Sequence, residues 1–262
     1  MRQVCRHCVP SHNTIMTYEE SVANEVAQWK AEMQKPPSLL STLSKDIQTR
    51  INNVIPEKVH QAITAAIKQM VRGVILGAEL GNPVLPAGLH LQVRESMVRD
   101  RIRFYRNTAT AEGAVTGAGG FLLGLADFPL WLGLKMKMMY EVASLYGADI
   151  RDYKERVYLL HIFQLTFSSQ KNRNKIFSII QDWQRHREML PDNIHEFDWR
   201  TFQLEYRDYI DLAKLLQLVP GVGAVVGAYV NHRLTERLGE NTMNAYRIRW
   251  GGPGSASPHA LT

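Results

Sequence analysis

Apolar residues recur along most of this chain at spacings of three and four, the period of a helix face, and no convincing strict alternation marks a strand. The pattern predicts an all-α protein. A first helix over Tyr18–Lys35 carries Val22, Val26, Trp29 and Met33 on one face; it starts at a Thr17/Glu20 capping box and stops at Pro36-Pro37. Ser38 is placed to cap a second helix reaching about Val54, and Pro56 opens a third that ends at Gly81, ahead of Pro83 and Pro86. "LQVRESMVRDRIRFYR", from Leu91, reads as a basic amphipathic helix, with Leu91, Val98, Ile102 and Tyr105 near one another and Arg99, Arg103 and Arg106 on a different face. Later helices are expected over Arg151–Ser169, Asn174–Leu190 and Asp198–Leu218, with a last one from about Pro220 to Trp250.

One stretch departs from this pattern. Gly113 to Leu134 holds a single charge, Asp127, and is rich in glycine. A phosphate loop is excluded by spacing: Leu122 occupies the third glycine position of the dinucleotide fingerprint, and Leu125 the lysine position of the nucleoside-triphosphate loop. A bilayer span needs about 20 apolar residues. Asp127-Phe128-Pro129 reads instead as the end of one helix and the capped start of another, which predicts a buried helical hairpin whose second arm runs to a C-cap at Gly147.

The glycines sit four apart, as Gly113/Gly117, Gly120/Gly124, Gly73/Gly77/Gly81 and Gly223/Gly227. Since each costs a helix about 1 kcal/mol relative to alanine, such ladders make sense where helices approach closely. The 113–134 and 218–231 segments are therefore expected to pack against each other at the centre of one domain. That domain is expected to span residues 17–250, between a flexible leader (1–16) and a disordered Gly/Ser/Pro tail (251–262).

Composition changes this picture little. The 262 residues are 45% hydrophobic and 21% charged, ordinary values for a globular protein, and the net charge of +6 suits anionic lipid or nucleic acid without specifying either. The two cysteines, Cys5 and Cys8, leave no disulfide framework and point to a reducing, cytoplasmic compartment. With His12 they supply at most part of a zinc site. The first 15 residues lack the apolar core of an export signal.

"GAGGFLLGLADFPLWLGLKMKMMYEVASLYGADIRDYKER" (117–156) and "LVPGVGAVVGAYVNHRLTERLGENTMNAYRIRW" (218–250) resemble the EcsC protein family. The match rests on its Ala-Asp-x-Pro hairpin, its Glu-x-Ala-x-x-Tyr-Gly helix and its Val-Pro-x-x-Gly-Ala-x-x-Gly-x-x-x-Asn segment. The resemblance covers about Tyr18 to Trp250. It implies a bacterial helical protein, cytoplasmic or membrane-associated, of a family named for a gene beside those of an ABC transporter, some members of which carry a hydrolase label.

The chain has no Gly-x-Ser-x-Gly elbow, His-Glu-x-x-His or Asp-x-Asp motif. The candidate catalytic residues are isolated polar groups in apolar company: Asp127, Glu141, Tyr146, His161 and Asn231. Each also has a structural role on offer. Asp127 could serve as a helix cap, Glu141 as the partner of Lys137 one turn away, His161 as a core histidine and Asn231 as an interhelical hydrogen-bonder. The expectation is a non-catalytic interaction protein at the cytoplasmic membrane face, perched beside a membrane protein such as a transporter, with Arg99, Arg103 and Arg106 as anionic-lipid contacts. A hydrolase is the alternative. No metal, cofactor or nucleic-acid partner is expected, because basic charge comes without any reading motif.

Overall fold

The computed structural model describes residues 16–36, 57–76, 89–118, 120–198, 201–202 and 224–250. Among them are eight α-helices and no β-strand: α1 (Tyr18–Met33), α2 (Glu57–Leu76), α3 (Leu91–Ala118), α4 (Gly120–Leu145), α5 (Tyr153–Phe167), α6 (Gln170–Gln181), α7 (Trp183–Met189) and α8 (Ala224–Trp250), with one 3₁₀ turn at Ile194–Glu196. The leader, the tail and the helices expected over 38–54 and 198–218 lie wholly or almost wholly outside the described residues, as do Cys5, Cys8, His12 and Gly223.

Local signals set several helix ends as expected. Thr17 Oγ1 accepts from the Glu20 amide at 3.2 Å while Glu20 Oε2 accepts from the Thr17 amide at 2.8 Å, which completes the capping box. α1 ends at Met33, short of Lys35, because a residue before proline is disfavoured in helical geometry. Gly147 has φ +87°, and the bonds Gly147 N–H to Ser144 C=O (2.9 Å) and Ala148 N–H to Ala143 C=O (3.0 Å) form the Schellman closure of α4. Asp152 then caps α5 through the Lys154 amide at 2.9 Å.

Two boundaries differ from expectation. No turn occurs at Asp127-Phe128-Pro129. α4 runs through all three residues, and the boundary between the two helices falls earlier, α3 ending at Ala118 and α4 beginning at Gly120. Pro129 forfeits an amide bond inside the helix. The helix persists because Phe128, Trp131 and Leu132 are buried around it while Pro129 itself is exposed. The expected 174–190 helix is instead two, broken where Asp182 leaves helical geometry (φ −106°, ψ 40°) and where Trp183 turns into the core, 4.8 Å from the Tyr158 ring.

α3 and α8 lie antiparallel along most of their length. Asn231 meets Ala109, Glu236 meets Arg106, Gly239 meets Ile102 and Arg247 meets Glu95. α4 returns antiparallel to α3, with Glu141 against Tyr105 and the Leu145 carbonyl against Arg94. α5 is buried almost all round, the mark of a central helix, and reaches α8 through Tyr158 O–H to the Ala245 carbonyl at 2.9 Å. α1 joins α8 by Trp29 Nε1–H to Asn241 Oδ1 at 2.8 Å, and α2 joins α4 by Tyr140 O–H to the Val74 carbonyl at 3.2 Å.

Among the described glycines, the one that brings two helices together is one the ladders omit. A Cβ on Gly239 would lie 2.6 Å from Ile102 Cγ2, whereas one on Gly73 or Gly133 would meet no atom within 4 Å. Gly113, Gly117, Gly120, Gly124 and Gly227 lie within α3, α4 and α8, but what surrounds them is outside the described contacts.

Candidate functional site

The densest polar cluster is buried where α1, α3, α4 and α8 converge. Glu95 is fully buried and receives Arg247 bidentately, Nε–H at 2.7 Å and Nη2–H at 2.6 Å, the geometry in which a guanidinium binds a carboxylate best. Tyr18 O–H donates to the same carboxylate at 2.5 Å and Tyr146 O–H at 3.0 Å. Arg247 also reaches Glu25 at 2.8 Å and Asn244 at 2.9 Å. Burial pushes the Glu95 carboxyl up, but the hydrogen bonds from Arg247 and Tyr18 outweigh it and leave it below the ordinary carboxylate range. Burial and the Glu95 charge hold the Tyr146 phenol well above its own. Every oxygen of Glu95 is spoken for, so the cluster reads as a structural lock.

A second lock repeats the chemistry. Glu155 accepts from Arg249 twice at 2.7 Å, from Arg187 at 3.1 Å and from Tyr246 at 3.4 Å.

Arg99, Arg103 and Arg106 do share a face, and all three line a groove of about 570 Å³ between α1, α3 and α8. The opposite wall carries Glu25, Glu32, Glu236 and Glu240. Arg99 donates to Tyr18 at 2.9 Å and lies 3.5 Å from Glu95; Arg106 pairs with Glu236 at 2.8 Å; Arg103, more exposed, lies 3.5 Å from Asp100. The basic stripe is thus matched by carboxylates rather than left as an open cationic patch.

The four candidate residues whose side chains the structure describes do not form one site. Glu141 accepts from Tyr105 at 2.6 Å and pairs with Arg101 at 3.6 Å, in place of the expected Lys137. Tyr146 belongs to the Glu95 cluster. Asn231 makes the interhelical bridge: it accepts from Trp131 Nε1–H at 2.6 Å and donates to the Ala109 carbonyl at 2.7 Å. His161 packs in an aromatic box of Trp183, His186 and Phe202, with Nδ1 3.2 Å from Gln164. Burial, reinforced by His186, pushes its pKa down to about 4, so it is neutral at pH 7. The side chain of Asp127 lies outside the described residues.

Sequence reasoning missed Lys135. It is fully buried, 4.7 Å above the Trp131 ring, and its Nζ has no hydrogen-bond partner among the described residues. Burial pushes its pKa down to about 7, against the pull of Glu112. The signal was periodic: Phe128, Trp131, Leu132, Lys135, Met138, Met139 and Val142 share one buried face, whereas Lys137 falls off it. Among the described residues, no three His, Cys, Asp or Glu side chains converge to hold a metal, and no helix is long and apolar enough to cross a membrane.

The profile of the EcsC protein family matches residues 20–250. The chain is 40% identical over 235 residues to Protein EcsC of Bacillus subtilis (strain 168), an alignment covering 89% of this chain and 97% of that protein. It is 33% identical over 158 residues to the uncharacterized protein YdbA of the same strain, covering 60% and 57% respectively. No solved structure matches significantly.

Proposed function

The chain belongs to the EcsC protein family, and from that premise we propose that it is a non-catalytic helical interaction protein working at the cytoplasmic face of a membrane, as an accessory to a membrane protein of the ABC-transporter kind. The observation that carries this reading is the character of one end of the bundle. The last turns of α3, the first turns of α4 and the first turns of α8 meet there, since α4 and α8 both run antiparallel to α3. The run from Gly113 to Ala126 has no charged residue. Just beyond it Leu130 is 68% exposed on α4, and Tyr229 is 64% exposed on α8. Large apolar and aromatic side chains left in water beside an uncharged helical hairpin fit shallow insertion at a headgroup boundary. The arginines of α3 enter this reading only weakly, because their groove supplies its own carboxylates.

The hydrolase alternative asks for a nucleophile and a base within reach of one another. Glu141, Tyr146, His161 and Asn231 instead make separate sets of contacts. Flotation with anionic vesicles at low salt tests the membrane reading. The wild type should float, and a Leu130→Glu/Tyr229→Glu double variant should stay in the dense fraction with unchanged thermal stability, since both side chains are exposed. A wild type that ignores anionic vesicles would refute the proposal.

A further inference from the structure

A second groove, between α2 and α4, differs from the arginine groove in every relevant respect. It encloses about 560 Å³, within the ~300–1,000 Å³ typical of ligand sites, and is lined by Met70, Val74, Leu132 and Met136 together with Gly73 and Gly133. The two glycines leave its walls open, because a Cβ at either would touch nothing within 4 Å. Tyr140 lies in the lining, but its hydroxyl is turned to the Val74 carbonyl. The lining runs from Pro129 to Tyr140 along α4, roughly 16 Å at the rise of a helix. That is about half the ~30 Å hydrocarbon core of a bilayer, the reach of one acyl chain.

Among the described residues, no carboxylate pairs with the cations at this groove. Lys137 stands exposed in the lining and forms no ion pair with the described residues; Glu141, one turn on, is engaged by Tyr105 and Arg101. Arg72, exposed and three residues beyond Gln69 on the same side of α2, forms no ion pair with the described residues either. Exposed Leu130 lies beside Gly133 and Lys137 on the α4 surface, which joins the groove to the apolar end of the bundle.

We propose that the α2–α4 groove binds one acyl chain of an anionic membrane lipid, with the lipid's headgroup at Lys137. The choice of a membrane as the source rests on the function proposed above; the apolar shape and the cationic rim do not. The test is calorimetric titration with a medium-chain lysophosphatidylglycerol held below its micellar concentration. The wild type should bind one equivalent saturably, and should prefer this probe to the matching lysophosphatidylcholine. Gly133→Leu should weaken binding by about tenfold or more while melting no lower than the wild type, since its side chain enters open space and leucine is a better helix former than glycine. Lys137→Gln should abolish the preference for the anionic probe while retaining acyl binding. Absence of saturable binding to the wild type, or unchanged affinity in a folded Gly133→Leu, would overturn the proposal. Flotation of the same proteins separates the two readings. A wild type that floats without binding the monomer removes the groove alone, and one that binds the monomer without floating keeps the groove and removes the membrane reading.

Discussion

Lys135 places an ammonium group over Trp131, on the buried face it shares with Leu132, Met138 and Met139, with no hydrogen-bond acceptor at its Nζ among the described residues. A buried charge without a partner is costly, and the protein lowers the cost by lowering the pKa, to about 7. The consequence for stability has a definite sign. Because the folded pKa lies below the unfolded one, the unfolded chain holds the extra proton between about pH 7 and 10.5, and stability rises with pH across that window by about 1.4 kcal/mol per unit. Lys135→Met should therefore stabilise the protein by up to about 5 kcal/mol below pH 7, and the gain should shrink to nothing near pH 10.5. Urea unfolding of both proteins at several pH values reads it directly; a gain that does not vary with pH would mean that Lys135 keeps its charge on folding. Glu112 is the described carboxylate that acts on this amine, and its charge works against the shift.

One glycine, Gly239, lies where two helices approach closely and another, Gly133, faces open space, so the two make opposite predictions. Gly239→Ala gains about 1 kcal/mol of helix propensity, but sets a methyl 2.6 and 2.8 Å from the Ile102 side chain across the α3–α8 contact. Overpacking of that kind costs about 1–3 kcal/mol, so a net loss is expected. Gly133→Ala meets nothing and should gain about 0.5–1 kcal/mol. Urea midpoints decide both, and a stabilised Gly239→Ala would mean that α3 and α8 are not held at this distance. The same contrast marks how far the elements could be read from sequence. Capping chemistry is local, so the start of α1, the end of α1 near Pro36 and the C-cap at Gly147 were legible. Asp127-Phe128-Pro129 misled because a proline's local cost was outweighed by burial of Phe128, Trp131 and Leu132 around it. Four-residue spacing marks glycines that share a face but not what that face meets, which is why Gly73 looked like a contact and Gly239 did not.

At the scale of the molecule, all-α character and the buried face of most helices follow from periodicity, whereas the pairing of Glu95 with Arg247 joins residues 152 apart in sequence and leaves no mark in either neighbourhood. Asn231 was legible as an interhelical bridge because an amide continuing an apolar helix face must find a partner, but its partners Trp131 and Ala109 were not. The Glu95 cluster ties four helices at one end of the bundle: Tyr18 and Glu25 from α1, Glu95 and Arg99 from α3, Tyr146 at the end of α4, and Arg247 from α8. Removing one partner of such a buried pair leaves an uncompensated charge and costs about 3–5 kcal/mol, whereas replacing both with apolar residues is often near neutral. Glu95→Leu should accordingly be severely destabilising, and Glu95→Leu/Arg247→Met should recover most of the loss, giving a large favourable coupling in the double-mutant cycle. Acid supplies an independent check. Because the folded Glu95 pKa is depressed, its contribution is complete above the unfolded carboxylate range and is lost as pH falls below about 4.5. The double variant should then lose less stability than the wild type between about pH 5 and pH 3. If instead the two single variants are mild and their effects simply add, Glu95 and Arg247 do not act as a lock, and the bundle's closed end is held by the aromatic contacts of Tyr146 with Tyr246 and Trp250.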